Sequence, residues 1–473
     1  MTAGVDGAQL REQVRQAWAD DILQRLVDYV TIPAKSPHFD PHWAESGHID
    51  RAVALARDWC ESRAVPGARV DVVRLPGRTP VLVVEVDGTA PGNVLLYGHL
   101  DKQPEMTGWD ADKGPWTPVL EDGRLYGRGG ADDGYAVFAA LTAIEALHRQ
   151  QAPCPRCLIL VETCEESGSY DLPAYMDSLA ERIGRPGLVI CLDSGCGDYA
   201  RLWLTSSLRG MAAGDLTVEV LEEGVHSGDA GGVVPCSFRL ARLLLSRLED
   251  PATGAIRLAE LQAEPGPERQ AEIERAAQVL GQSVSRRFPW AAGVEPPADD
   301  PPELILARTW RPALAVTGAD GLPPLASAGN VLRPATTLRL ALRLPPTVDG
   351  EAASRALKSV LETDPPPGCR VHFRTGWGAT GWEAPPLAPW LREAVDAASR
   401  ESFGAGAAAM GEGGTIPFMG MLGRRFPQAQ FLITGVLGPG ANAHGPNEFL
   451  HLASAERLTS AVALILNRAS ANL

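Results

Sequence analysis

Long apolar runs are missing from this chain. The longest candidates, such as 461–466, are core-sized, far below the roughly 20 residues that a membrane helix needs. No membrane partner is therefore expected. The N-terminus, MTAGVDGAQLREQ, lacks the basic and apolar regions of a secretory signal, so the expected compartment is cytoplasmic. Basic residues are in deficit. Lys and Arg number 43 against 58 Asp and Glu, a net charge of −15. Affinity for nucleic acid rests on neutralising phosphates, so this balance argues against such a partner. It leaves metal ions and cationic substrates open. The eight Cys are few for 473 residues, and without a signal they read as reduced thiols rather than a disulfide framework. Cys154-Pro155-Arg156-Cys157 has no second pair and no thioredoxin-like surroundings, so it reads as a loop entering a strand. There is no internal repeat, and the one biased tract is the Pro-rich stretch at 295–302.

What is present is length and alternation. A chain of 473 residues exceeds what one core usually supports, so two domains are expected. Residues 9–30 and 48–62 carry apolar residues at helical spacing. Short β-branched runs follow at 70–73, 81–86 and 94–97. Asp122-Gly123 between 117–120 and 124–126 is a hairpin signal. A buried helix at 133–149 and strands at 158–161 and 188–192 complete an α/β pattern, a mostly parallel sheet with helices on both faces. From about 208 the pattern changes to alternating strands at 212–220, 331–343 and 371–374, with helices at 238–248, 267–281 and 351–362. This reads as a smaller α+β domain inserted into the first. α/β character returns with a helix at 387–402, a strand at 430–434 and a C-terminal helix from about 453. The expected division is 1–207 and 383–473 for the catalytic domain and 208–382 for the insertion.

Chemistry-bearing residues collect where strands end. The strand at 94–97 runs into Gly98-His99-Leu100-Asp101. A His at such an edge, with a carboxylate two positions on, suits a metal ligand and its supporting hydrogen-bond partner. Gly127-Arg128-Gly129-Gly130-Ala131-Asp132-Asp133-Gly134 follows the hairpin, Glu165-Glu166-Ser167-Gly168 follows 158–163, and Asp193-Ser194-Gly195 follows 188–192. Asn442-Ala443-His444-Gly445-Pro446-Asn447-Glu448 adds a second loop His. Singly, each motif suits a turn, a helix cap or a solvated loop. Together they resist a packing explanation. The successive spacings 99 to 132, 132 to 166 and 166 to 193 are each about one β-α-β step, which predicts neighbouring strand ends along a single edge.

With GHLDKQP, GRGGADDG, EESGS, LDSG and NAHGPNE in this order, the chain resembles the carnosinase and aminoacylase class of dinuclear-zinc metallopeptidases over nearly its whole length. The resemblance implies that His99 and Asp193 bind one metal, Glu166 and His444 the other, and that Asp132 bridges both. It implies that Asp101 orients His99, that Glu165 is the general base, and that the Asp132–Asp133 peptide is cis. His226 resembles a residue of the inserted domain that reaches a partner subunit's site and holds the developing oxyanion, which implies a homodimer. Arg343 sits where relatives clamp the substrate carboxylate, Asn330 belongs to the same pocket, and Gly414 and Thr415 lie in a Gly-rich loop that contacts substrate. Carnosinase relatives have a His near the end of the inserted domain, where this chain has Trp377 and its neighbours.

Adjacent side chains point differently, so Glu165 and Glu166 suit different tasks, a proton carrier and a ligand. His with carboxylates and no Cys suits two zinc ions, with manganese as the alternative. The expected activity is hydrolysis of the amide bond in dipeptides or similar small substrates with a free carboxylate, through a metal-activated water. N-acyl amino acid deacylation on the same site is the nearest alternative, although deacylase relatives often have Glu where this chain has Asp193. A metal- or peptide-binding scaffold without catalysis would have lost the base or a ligand. An amide-modifying enzyme of a biosynthetic pathway is a further possibility.

Overall fold

The computed structural model describes residues 5–414 and 416–473. Its centre is a six-stranded mixed sheet, in spatial order Ala68–Val73, Val81–Val86, Arg156–Glu162, Asn93–His99, Leu188–Cys191 and Gln430–Ile433. The last four strands pair in parallel, and the two at the other edge pair antiparallel. These strands are almost continuously apolar because both faces are covered. Alternate residues serve different cores. Leu82, Val84, Leu96, Ile159 and Ile190 pack in one cluster with helices Gly7–Ala17, His48–Ser62, Tyr135–Arg149 and Leu452–Ala469. Val83, Leu95, Tyr97, Leu160 and Val189 pack in the other with helix Leu172–Ser178 and with Phe418, Met419 and Leu422. The expected α/β architecture is present.

A second, antiparallel sheet has the order Ala313–Asp320, Ala335–Leu344, Gly210–Glu219 and Arg370–Ala379. Gly210–Glu219 alternates strictly between buried and half-buried positions, as a one-sided strand should. Its buried face packs with helices Ser237–Leu248 and Gly350–Glu362 through Leu216, Leu240, Leu244, Leu342, Leu357 and Phe373.

Other features add detail to the sequence reading. Residues 9–30 belong to one helical run, with a π-turn at Trp18–Ile22 between Gly7–Ala17 and Leu23–Val30. Trp203–Leu208 is a fully buried strand that pairs in parallel with Ala408–Glu412 and antiparallel with Trp382–Glu383. Its Thr and Ser residues hide it from a pattern search. They are accommodated by contacts such as Ser194 Oγ to Thr205 Oγ1 at 2.6 Å. The Pro-rich tract ends by starting a helix, Pro301–Thr309, since proline is tolerated in a first helical turn. The hairpin turn at Asp122-Gly123 has φ of 48° and 72°, the left-handed pair that a two-residue loop requires. Among the described residues, no helix is long and apolar enough to cross a membrane.

Asp215 ties three strands of the second sheet together. Its carboxylate accepts from Arg339 Nε at 2.8 Å and also pairs with Arg374. The Arg339 hydrogen bond, then Arg374, holds its pKa at about 2, below its ordinary value of 3.8. Its contribution is therefore present above about pH 4 and lost as pH falls through about 2. Urea unfolding of Asp215→Asn against the parent protein should show a loss of up to about 1 kcal/mol at pH 7, as expected of a solvent-screened pair. The difference should vanish near pH 2.

Candidate metal centre

Three parallel strands deliver their ends to one edge. His99 is the last residue of Asn93–His99. Glu165 and Glu166 form a 3₁₀ turn, Glu165–Ser167, after Arg156–Glu162, and Gly168 closes it at φ 89°. Asp193 stands two residues past Leu188–Cys191. Asp132 arrives differently from the expected single row of strand ends. The hairpin before it, Val119–Glu121 and Arg124–Tyr126, belongs to a separate three-stranded sheet completed by Phe449–His451. His444 lies in the loop leading into that last strand, so one small sheet carries both Asp132 and His444 to the main sheet's edge. The Asp132–Asp133 peptide is cis.

The close approach explains local residue choices. Asp133 Oδ2 accepts from the His99 backbone N–H at 3.2 Å. A Cβ at Gly98 would lie 2.6 Å from Ala136 Cβ and 2.7 Å from Asp133 Oδ2, so only glycine fits beneath this turn. His99 Nδ1 faces the Asp101 carbonyl oxygen at 3.1 Å and the Asp101 carboxylate at 3.6 Å. That carboxylate accepts from the backbone N–H groups of Glu165, at 3.1 Å, and Glu166, at 3.0 Å. Asp101 therefore braces the glutamate turn as well as the imidazole.

Two ligand-capable groups result, one of His99, Asp132 and Asp193 and one of Asp132, Glu166 and His444. Within each group the candidate atoms all lie within 4.8 Å of one another. His99 Nε2 is 3.3 Å from Asp132 Oδ1 and 3.7 Å from Asp193 Oδ2. His444 Nε2 is 3.0 Å from Asp132 Oδ2 and 3.4 Å from Glu166 Oε2. Asp132 thus offers one oxygen to each imidazole. Two imidazole nitrogens and three carboxylates around two centres match the donor chemistry of divalent cations.

The electrostatics agree. Burial, then Asp132, pushes the Glu166 carboxyl up to about 8. Burial, with Asp132 adding, pushes Asp193 up to about 6. Burial, then Asp193, raises Glu165 well above the usual carboxylate range. Burial alone would lower His444, but Glu166 and Asp132 override it and lift the imidazole to about 10. Asp132 is held below its ordinary value against the effect of burial, because His444 and His99 bond its two oxygens. So much negative charge in a partly enclosed site is what a pair of divalent cations would neutralise.

The site opens into a cavity of about 880 Å³ lined by Asp132, Glu165, Glu166, Asp193 and His444, and by Arg343, Trp377, Glu412 and Gly414. His226 and Asn330 do not line it. They sit together on a separate ribbon, where Val225–His226 pairs with Val331–Leu332 and Ser227 N–H donates to Asn330 O at 2.8 Å. Thr415 lies outside the described residues.

Three supporting residues escaped the sequence reading although they stand inside its motifs. Gln103 Nε2 donates to Glu166 Oε2 at 2.6 Å. Glu448 is fully buried, pairs with the buried Arg128, and accepts from Gly129 N–H at 2.8 Å. Arg128 also donates to the His444 carbonyl at 3.1 Å, fixing the loop that carries the second imidazole. In metal analysis after dialysis, Asp132→Ala should lose both of the about two ions a shared-carboxylate site holds, and His444→Ala about one. Unchanged stoichiometry in Asp132→Ala would contradict a shared ligand.

The family model described as Peptidase family M20/M25/M40 matches residues 95–468. The cysteinylglycine-S-conjugate dipeptidase of Corynebacterium striatum is 28% identical over 464 residues, 92% of this chain and 94% of that protein. The beta-Ala-His dipeptidase of Homo sapiens is 27% identical over 357 residues, 72% and 69% of the two chains. Among solved structures, human carnosine dipeptidase 1 is similar with a TM-score of 0.78, 21% identity and 99% of both chains covered. The dipeptidase Dug1p of Saccharomyces cerevisiae has a TM-score of 0.76 at 21% identity, with 98% and 99% covered. At that identity these two likenesses speak to the fold. The family match spans every motif from His99 to His444, and the chain belongs to peptidase family M20/M25/M40, as a metal-dependent hydrolase.

Proposed function

We propose that this chain is a dipeptidase with two metal ions, held by His99 and Asp193 on one side and Glu166 and His444 on the other, with Asp132 between them. Zinc suits this donor set best, and manganese is the alternative. The observation that carries the reading is the sharing of Asp132 between two imidazoles at the floor of a cavity that also contains Glu165 and Arg343. When bound, a pair of divalent cations supplies Lewis acidity, polarising the scissile carbonyl and acidifying a water.

Glu165 is the proton carrier. Its side chain lines the cavity beside Asp193, and the Asp101 carboxylate fixes its backbone. It takes a proton from the attacking water and delivers it to the amine that leaves. Arg343 holds the substrate's free carboxylate at the opposite end, where a planar guanidinium makes two parallel hydrogen bonds. Glu412 favours a dipeptide over an N-acyl amino acid. Its carboxylate lines the same cavity close against Gly195, where a Cβ would lie 2.6 Å from Oε1, and it suits a free ammonium. Trp377 borders the cavity where carnosinase relatives have a His, so its side-chain preferences differ from theirs.

His226 and Asn330 act in a second copy's site. Supporting this are exposed apolar residues of the inserted segment, Val331 on the ribbon itself at 39% exposure, Leu325 at 95% and Val316 at 48%. The residues 208–382 then form the lid and the dimer contact. Light scattering should give a dimer mass, and a monomer that retains full activity would exclude the in-trans role.

Glu165→Ala should keep its metal and lose about 10²–10⁴-fold in kcat. Undiminished turnover would sink the assignment. A panel of free dipeptides against N-acetyl and N-succinyl amino acids should show cleavage of the dipeptides. Preference for the acylated panel would replace this reading with deacylation.

A further inference from the structure

The proposed reading leaves one cavity-lining cation without a task. Arg287 borders the cavity together with Gly195 and Glu412. Its backbone N–H donates to Ser283 O at 3.2 Å, but among the described residues its guanidinium makes no hydrogen bond or salt bridge, and it lies 6.0 Å from the centroid of the Phe288 ring. Burial, then the neighbouring Arg308, works against its charge, while Glu412 works in its favour. That Glu is shared, since its Oε2 lies 3.7 Å from Arg308 Nη2. Two guanidinium groups therefore face a single carboxylate. A half-buried cation in excess calls for an anion.

Arg287 is held in place by a built scaffold. It follows the short helix Ser283–Arg286, whose Val284 packs with Cys196, Trp203, Ile273, Ile305 and Met410. Trp290 Nε1 donates to Ser285 O at 2.9 Å and closes the turn just beyond it. Helices Pro267–Leu280 and Pro301–Thr309 belong to the same cluster through Ile273 and Ile305, and the second carries Arg308. The segment thus packs against the buried strands Trp203–Leu208 and Ala408–Glu412, which border the site.

We propose that Arg287 is a specificity-determining residue that binds a carboxylate on the side chain of the substrate's N-terminal residue, so that dipeptides beginning with Asp or Glu are preferred. This deepens and rests on the dipeptidase reading. An N-terminal acidic residue carries an ammonium and a carboxylate close together. Glu412 and Arg287 offer the matching pair of opposite charges on one stretch of wall. Arg343 remains for the carboxylate at the other end. An acidic dipeptide would thus find one countercharge for each of its three ionised groups.

The test is kcat/KM of the metal-loaded enzyme for Glu-Ala, Gln-Ala, Asp-Ala, Asn-Ala and Lys-Ala. Glu-Ala should exceed Gln-Ala, and Asp-Ala exceed Asn-Ala, by about tenfold or more, mainly through KM, as loss of a charge-assisted contact predicts. In Arg287→Gln the Glu/Gln ratio should collapse to about one. In Arg287→Glu the order should invert, with Lys-Ala ahead of Glu-Ala. Equal rates for Glu-Ala and Gln-Ala in the unaltered enzyme overturn the inference and leave the dipeptidase reading standing. A ratio that survives in Arg287→Gln overturns it as well. If none of the peptides is cleaved, both fall together.

Discussion

The constraint on which the rest depends is the crowding of carboxylates around Asp132. Left to themselves, Asp193, Glu165 and Glu166 repel one another in a poorly solvated pocket, and each is pushed toward its neutral form. Asp132 is instead held below its ordinary value, because an imidazole bonds each of its oxygens. Protons or cations bound among the groups relieve that repulsion. The fold must hold the groups together against that repulsion, and much of the surrounding architecture does so. Buried Arg128 and Glu448, the Asp101 clamp on the glutamate turn, and the glycine at position 98 all serve this purpose.

Two sheets divide the labour. The parallel strands of the main sheet supply His99, Glu165, Glu166 and Asp193 from one edge, as open α/β sheets do. The small three-stranded sheet supplies Asp132 and His444 from above. The proposed bridging ligand must reach both groups, and Asp132 comes from the element that also positions the second imidazole. The antiparallel sheet contributes Arg343, on Ala335–Leu344, and Trp377, on Arg370–Ala379. Under the proposed reading, chemistry and selectivity sit on different structural units, so specificity can vary without disturbing the ligands.

The strand ends were legible because a buried apolar run that stops at Gly-His or at Asp is a local signal. The Asp122-Gly123 turn was legible for the same reason, since its left-handed backbone demands those residue types. What escaped is non-local. Glu448 gains its meaning only from Arg128, 320 residues away, and Gln103 only from Glu166. The strand at 203–208 is written in Ser and Thr, and hydrogen bonds that satisfy those hydroxyls come from distant segments. The position of Arg287 depends on how three helices of a Pro- and Ala-rich stretch, of which only the one at 267–281 was legible, pack onto that strand. His226 and Asn330 were readable as neighbours of function, yet a single chain places them on a ribbon away from its own cavity.

The order of ligands along the chain has a consequence for synthesis. His99, Asp132, Glu166 and Asp193 all emerge from a ribosome well before His444 and the Glu448 that anchors its loop. A nascent or truncated chain ending before 444 carries one three-residue group and lacks the other. Under the proposed assignment, the second metal group is completed only once the chain has been made past 444.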